Sequence, residues 1–109
     1  MMDITKYQEW TRTTAVYPKD KGLEYTTLGL AGEAGEVCNK VKKIIRDNGG
    51  IVTDDVRGKI SDELGDVIYY WARLADELNL SCESILLKNV EKLNSRKERN
   101  VLKGSGDSR

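Results

Sequence analysis

Two pairs of carboxylates have the spacing that chemistry needs. Glu33 and Glu36 lie three residues apart in "GLAGEAGEVCNK", and Glu63 and Asp66 repeat that spacing in "DELGDVIYYW". On a helix, residues three apart share a face, so each pair projects both acids to one side. Each pair also flanks an apolar stripe. If the two stripes pack together, four carboxylates line one edge of the seam. Two like charges about 4 Å apart repel by roughly 4 kcal/mol at an effective dielectric of 20. Such a cluster must take up protons or bind a cation. All-oxygen ligation suits Mg²⁺, with Mn²⁺ as a substitute. Acid pairs at this spacing are also common on solvated helix faces, and from the residues alone both readings stand. Asp62 competes with the second pair but points further from the seam.

Glycines accompany the acids. Gly32, Gly35 and Gly65 sit inside helical stretches, where each costs about 1 kcal/mol relative to alanine. Lacking side chains, they leave room beside the acids for a phosphate or a neighbouring helix.

The elements that must position these residues are helices. A first helix is expected from about Asp3 to Val16, ended by "VYPKDKG", because Pro18 disfavours helix at Tyr17. A second runs from Gly22 or Leu23 to Asp47 and stops at "DNGG". A third runs from about Asp54 to Asn79. A fourth follows Ser81, whose hydroxyl suits an N-cap, and ends near Arg99. Apolar residues recur at helical spacing: Leu23, Leu30, Ala34, Val37, Val41, Ile44 and Ile45 on the second helix, and Ile60, Leu64, Val67, Ile68, Trp71, Leu74, Ala75 and Leu78 on the third. The fourth offers Leu86, Leu87, Val90 and Leu93. All read as core. The expected fold is all-α, a four-helix bundle-like chain with two long central helices. The domain covers residues 1–103, and 104–109 form a flexible Gly/Ser-rich tail. "KGSGD" lacks the Lys-Ser/Thr ending of a P-loop.

Helix two, at roughly 25 residues, would be about 38 Å long, whereas a compact domain of about 100 residues has a radius of gyration near 13 Å. One short chain cannot cover two such helices well, so pairing with a second copy is expected, with an elongated monomer as the alternative.

Composition narrows the function. The chain has 109 residues, with 18 basic and 18 acidic side chains and no histidine. Charge balance argues against DNA or RNA as a partner. The absence of histidine removes serine–histidine and cysteine–histidine catalysis and most zinc sites. Cys38 and Cys82 form no CxxC pair and fit reduced thiols in a cytoplasmic protein. No apolar stretch is long enough to cross a membrane.

"GLAGEAGEVCNKVKK" followed by "DELGDVIYYWARLA" resembles the MazG-like family of all-α nucleoside triphosphate pyrophosphohydrolases, whose motif is Glu-x-x-Glu, a spacer, then Glu-x-x-Asp. Here it reads Glu33-Ala-Gly-Glu36 and Glu63-Leu-Gly-Asp66. The resemblance covers helices two to four. It implies Mg²⁺-dependent hydrolysis of a nucleoside triphosphate to the monophosphate and pyrophosphate, in dimers or tetramers with active sites near the subunit interface. It implies Glu33, Glu36, Glu63 and Asp66 as metal ligands, with Glu33 and Glu36 both candidates for activating the attacking water. Tyr70 is similar to a tyrosine that touches the nucleotide in some relatives; partial core burial explains it equally well. Lys92 and Arg96, with Asn89 on the same edge, resemble the positions that hold phosphates. Lys43 falls near the Glu36 face, within reach of a phosphate. Trp10 could stack on a base or simply pack in the core. The competing function is a non-catalytic helical oligomer that binds a partner protein or a nucleotide without turnover.

Overall fold

The computed structural model describes residues 1–109. It holds α1 (Ile4–Thr11), α2 (Gly22–Asp47), α3 (Asp54–Glu77) and α4 (Cys82–Glu98), with 3-10 turns at Arg12–Thr14 and Lys19–Lys21 and no strand. Three of the helices start on side-chain caps. Asp3 Oδ1 accepts from Lys6 N at 2.8 Å, Thr53 Oγ1 from Val56 N at 3.3 Å and Ser81 Oγ from Ser84 N at 3.2 Å. Each satisfies one of the N–H groups that a helix start leaves open.

Where helices end differs from the sequence reading in two places. α1 stops at Thr11, not Val16. The hydroxyls of Thr11, Thr13 and Thr14 each donate to the carbonyl three residues back, at 2.6, 2.7 and 3.0 Å. This back-bonding competes with continued α-helix. α3 ends at Glu77, two residues short of the expected Asn79, which is left-handed at φ 55°. Leu80 N then donates to Ala75 O at 2.8 Å, closing a Schellman turn.

α2 and α3 form an antiparallel hairpin. The contacts step down one helix as they climb the other, with Gly22 against Glu77, Gly29 against Tyr70 and Lys40 against Glu63. α1 and α4 pack near the C-terminal end of α3. The buried core there is small: Ala72, Ala75 and Cys82, with Ile4, Tyr7, Trp71 and Ile85 packed on it. Cys38 and Cys82 are free thiols.

A buried polar belt supplements this core. Gln8 Nε2 donates to Leu80 O at 2.8 Å while its Oε1 accepts from Cys82 N at 2.9 Å. Arg73, 4% exposed, donates to Tyr17 Oη at 2.9 Å, Thr11 Oγ1 at 3.3 Å and Asp76 Oδ2 at 2.9 Å. Arg12 holds the other Asp76 oxygen at 2.7 Å. Hydrogen bonding from Arg12, ahead of that from Arg73, lowers the Asp76 pKa. A carboxylate lowered in the folded state contributes stability that is present above its unfolded pKa of about 3.9 and is lost as pH falls through the folded value. Urea midpoints taken from pH 7 to pH 2 should therefore fall more steeply in the wild type than in Asp76→Asn, which starts lower at neutral pH.

The apolar stripes are mostly not core. Of the α2 stripe only Ile44 is buried, while Ile45 is 70% exposed; on α4, Leu86, Leu87, Val90 and Leu93 are 42–56% exposed. The radius of gyration is 16.9 Å, against about 13 Å for a compact domain of this size. The physical reason is length: four helices cannot all face inward when two of them outrun the rest.

Candidate metal centre

α2 and α3 bring acids together at their seam. One oxygen each from Glu33, Glu63 and Asp66 lies within 4.8 Å of the others. Glu33 and Glu63 are half-buried, and Asp66 is exposed. Glu36 stands one turn further along α2, exposed and outside this trio, though its charge reaches Glu33. Asp62 is exposed and also apart. The Glu33 pKa is raised, first by partial burial, then by hydrogen bonding with Glu63 and by the charges of Asp66, Glu63 and Glu36. Glu63 has one cation at hand, Lys40 Nζ at 3.2 Å. A half-buried carboxylate with two others close by fits a hard divalent cation by charge and by donor type.

Beside the trio a cavity of about 420 Å³ opens between the C-terminal half of α2 and the start of α3. Lys40, Lys43, Lys59 and Asp47 wall it over Ile44 and Val56. Lys43 thus stands with two lysines that sequence reasoning passed over. Their signal was present: Lys40 is four residues after Glu36, and Lys59 is four before Glu63, so each shares a face with an acid.

On the other side of the acids the wall is aromatic. Tyr70 lies over Gly29, with its ring 6.3 Å from Tyr25 and 5.2 Å from Tyr69. Burial, followed by hydrogen bonding with Tyr25, raises its pKa, and Glu33 adds to the rise. Trp10 is 47% exposed, with its ring 6.5 Å edge-on to Tyr69, so it joins this row at one remove from Tyr70.

Lys92, Arg96 and Asn89 are not brought to the acids of the same chain. Lys92 and Arg96 pair with Asp107, and Asn89 lines a shallow groove with Leu80, Ile85 and Lys88.

The glycines divide. A methyl group on Gly32, Gly35 or Gly65 would meet nothing within 4 Å, so no helix of this chain presses on them. Close approaches occur at Gly22, where a methyl would strike the Glu77 carboxylate, and at Gly29, where it would lie 2.5 Å from the Tyr70 ring. Gly29→Ala should displace Tyr70 and cost about 1–3 kcal/mol in overpacking, partly offset by about 1 kcal/mol of helix propensity. Gly32→Ala should show only the gain. Thermal melts with near-ultraviolet circular dichroism of the tyrosines would check both; equal behaviour of the two variants counts against the contact.

An all-helical chain whose two long helices cluster carboxylates at their seam has a donor set that could hold a metal ion. A family model for the MazG nucleotide pyrophosphohydrolase domain matches residues 21–101, and the chain belongs to that family. Its members are nucleoside triphosphate pyrophosphohydrolases and depend on a metal. The chain is also similar to the gene 37 protein of Mycobacterium phage L5, at 46% identity over 114 residues, covering 99% of this chain and 100% of that protein. No solved structure matches it significantly. No helix is long and apolar enough to cross a membrane.

Proposed function

We propose that this protein hydrolyses a nucleoside triphosphate, ribo- or deoxyribo-, to the monophosphate and pyrophosphate, and so helps to cleanse the nucleotide pool of the cytoplasm. The observation that supports it most is the convergence of Glu33, Glu63 and Asp66 within 4.8 Å from two helices. These three, with Glu36 alongside, would hold Mg²⁺, or Mn²⁺ in its place. The bound ion would neutralise charge on the phosphates. Glu33 and Glu36 are the bases proposed to take a proton from the attacking water. Lys43, with Lys40 and Lys59 in the same cavity, offers charge to phosphate oxygens. Tyr70, and Trp10 behind Tyr69, offer ring faces to the sugar and base.

The rest of the phosphate-binding set, Lys92, Arg96 and Asn89, is proposed to act from α4 of a second copy in a homodimer or homotetramer. The chain exposes 7979 Å², against about 6,100 Å² expected for a compact monomer of its mass. The exposed leucines of α4 lie on the helix that carries those residues. Sedimentation should return at least a dimer, and a monomer at working concentration would refute this part.

The test of activity is release of pyrophosphate and monophosphate from a panel of ribo- and deoxynucleoside triphosphates with Mg²⁺ or Mn²⁺. Release from at least one supports the reading. A folded protein that releases none would leave a non-catalytic helical module in its place.

A further inference from the structure

The chain's last residues turn back on α4. Asn100, at φ 62°, ends the helix in a left-handed conformation, and Val101 N donates to Arg96 O at 2.8 Å. Gly104 and Gly106, at φ 141° and 83°, bend the backbone where a side chain would be strained. Arg109 fastens the loop. Its Nε donates to Val101 O and its Nη2 to Leu102 O, both at 3.0 Å, and its Nη1 reaches Gly106 O.

This fastening carries Asp107 to α4. Its Oδ1 accepts from Lys92 Nζ and from Arg96 Nη2, both at 3.1 Å. Arg96 Nη2 also donates to Asp107 O at 3.1 Å and Gly106 O at 3.4 Å. The Arg96 side chain is 5% exposed, whereas that of Asp107 is 86% exposed. A lysine and an arginine four residues apart, both donating to one anionic oxygen, make the arrangement that a phosphate oxygen takes. Here the chain's own carboxylate fills it. An exposed ion pair is intrinsically weak. What keeps Asp107 in place is its tether, which on a short loop acts as an effective concentration on the order of millimolar.

We propose that the C-terminal loop is a tethered anion that occupies the Lys92–Arg96 pair, so that a phosphate group must displace Asp107 to bind there. This rests on the assignment of Lys92 and Arg96 to phosphate binding. The loop thereby weakens capture of any ligand that cannot outcompete it and favours polyphosphates, whose charge exceeds that of one carboxylate.

The probe is pyrophosphate, titrated calorimetrically into the full-length protein without divalent cation, so that the acidic cluster offers it nothing. Asp107→Asn should bind about tenfold more tightly than the wild type. Arg109→Gln, which keeps Asp107 but frees the loop, should shift binding in the same direction. Arg96→Gln should lose binding; Lys92→Gln serves if the buried arginine proves necessary for folding. If Asp107→Asn and Arg109→Gln bind no more tightly than the wild type while the α4 variant loses binding, the phosphate pair stands and the tethered anion is refuted. If the α4 variant binds as the wild type does, the pair is no phosphate site and both ideas fall.

Discussion

Glu63→Gln should lower pyrophosphate release about a thousandfold, roughly 4 kcal/mol of transition-state stabilisation, while raising the melting temperature of the metal-free protein. The two effects share one cause. Glu63 is the acid that joins the cluster: one of its oxygens lies within 4.8 Å of those of Glu33 and Asp66, and it pairs with Lys40. Glutamine keeps its shape and can still bond to Glu33, but it removes one of the three negative charges. In the absence of a cation that charge is a burden, because it helps push up the Glu33 pKa. In its presence the charge is a ligand. Mg²⁺ at a hundred times its dissociation constant should therefore stabilise the wild type by about 2.7 kcal/mol and Glu63→Gln by much less. Kinetics and melts with and without Mg²⁺ would check all three expectations. Activity within tenfold of wild type would remove Glu63 from the metal site, and a lowered metal-free melting temperature would contradict the account of repulsion.

Arg73→Ala is expected to be the most damaging single change to stability, at about 3–5 kcal/mol. Arg73 is buried at the junction of α1, α3 and the turn before α2, and it binds Tyr17, Thr11 and Asp76 with Glu77 at 3.6 Å. Removing it takes the buried cation from beside Tyr17 and Glu77 and leaves Asp76 only Arg12 and Gln8. For a domain of this size such a loss is a large share of the roughly 5–15 kcal/mol that holds a native state. Arg57→Ala is the control. Its partner Asp54 is 95% exposed and its own side chain 70%, so its loss should stay within about 0.5 kcal/mol. Denaturant midpoints for the two variants give the comparison. A similar loss in both would mean that burial of Arg73 does not decide its contribution.

Arg73 also shows where reading the sequence runs out. In the sequence it is an arginine that interrupts the apolar run "VIYYWARLA". Nothing local shows that Tyr17, 56 residues away, would satisfy it. Gln8 is similar: a polar residue in an exposed-looking first helix that bridges Leu80 and Cys82. The early end of α1 was readable in principle, since three threonines in "TRTT" with their neighbours invite back-bonding. Pro18 drew the boundary too far along because it is the stronger local breaker.

By itself the sequence determined what local rules govern: four helices, the cap at Ser81, the stop at "DNGG", and two acid pairs each confined to one helical face. These depend on spacing and on neighbours within a turn. Tertiary structure alone decided the rest. It joined Glu33 to Glu63 and Asp66 but left Glu36 a turn away, because the register between α2 and α3 is set by packing along the whole hairpin, at Gly22 and Gly29 as much as at the acids. It put Lys40, Lys43 and Lys59 around one cavity, and it gave Lys92 and Arg96 to Asp107. It also left the stripes of α2 and α4 facing outward. A hydrophobic pattern states which face is apolar; whether anything covers that face depends on the lengths and angles of every other element.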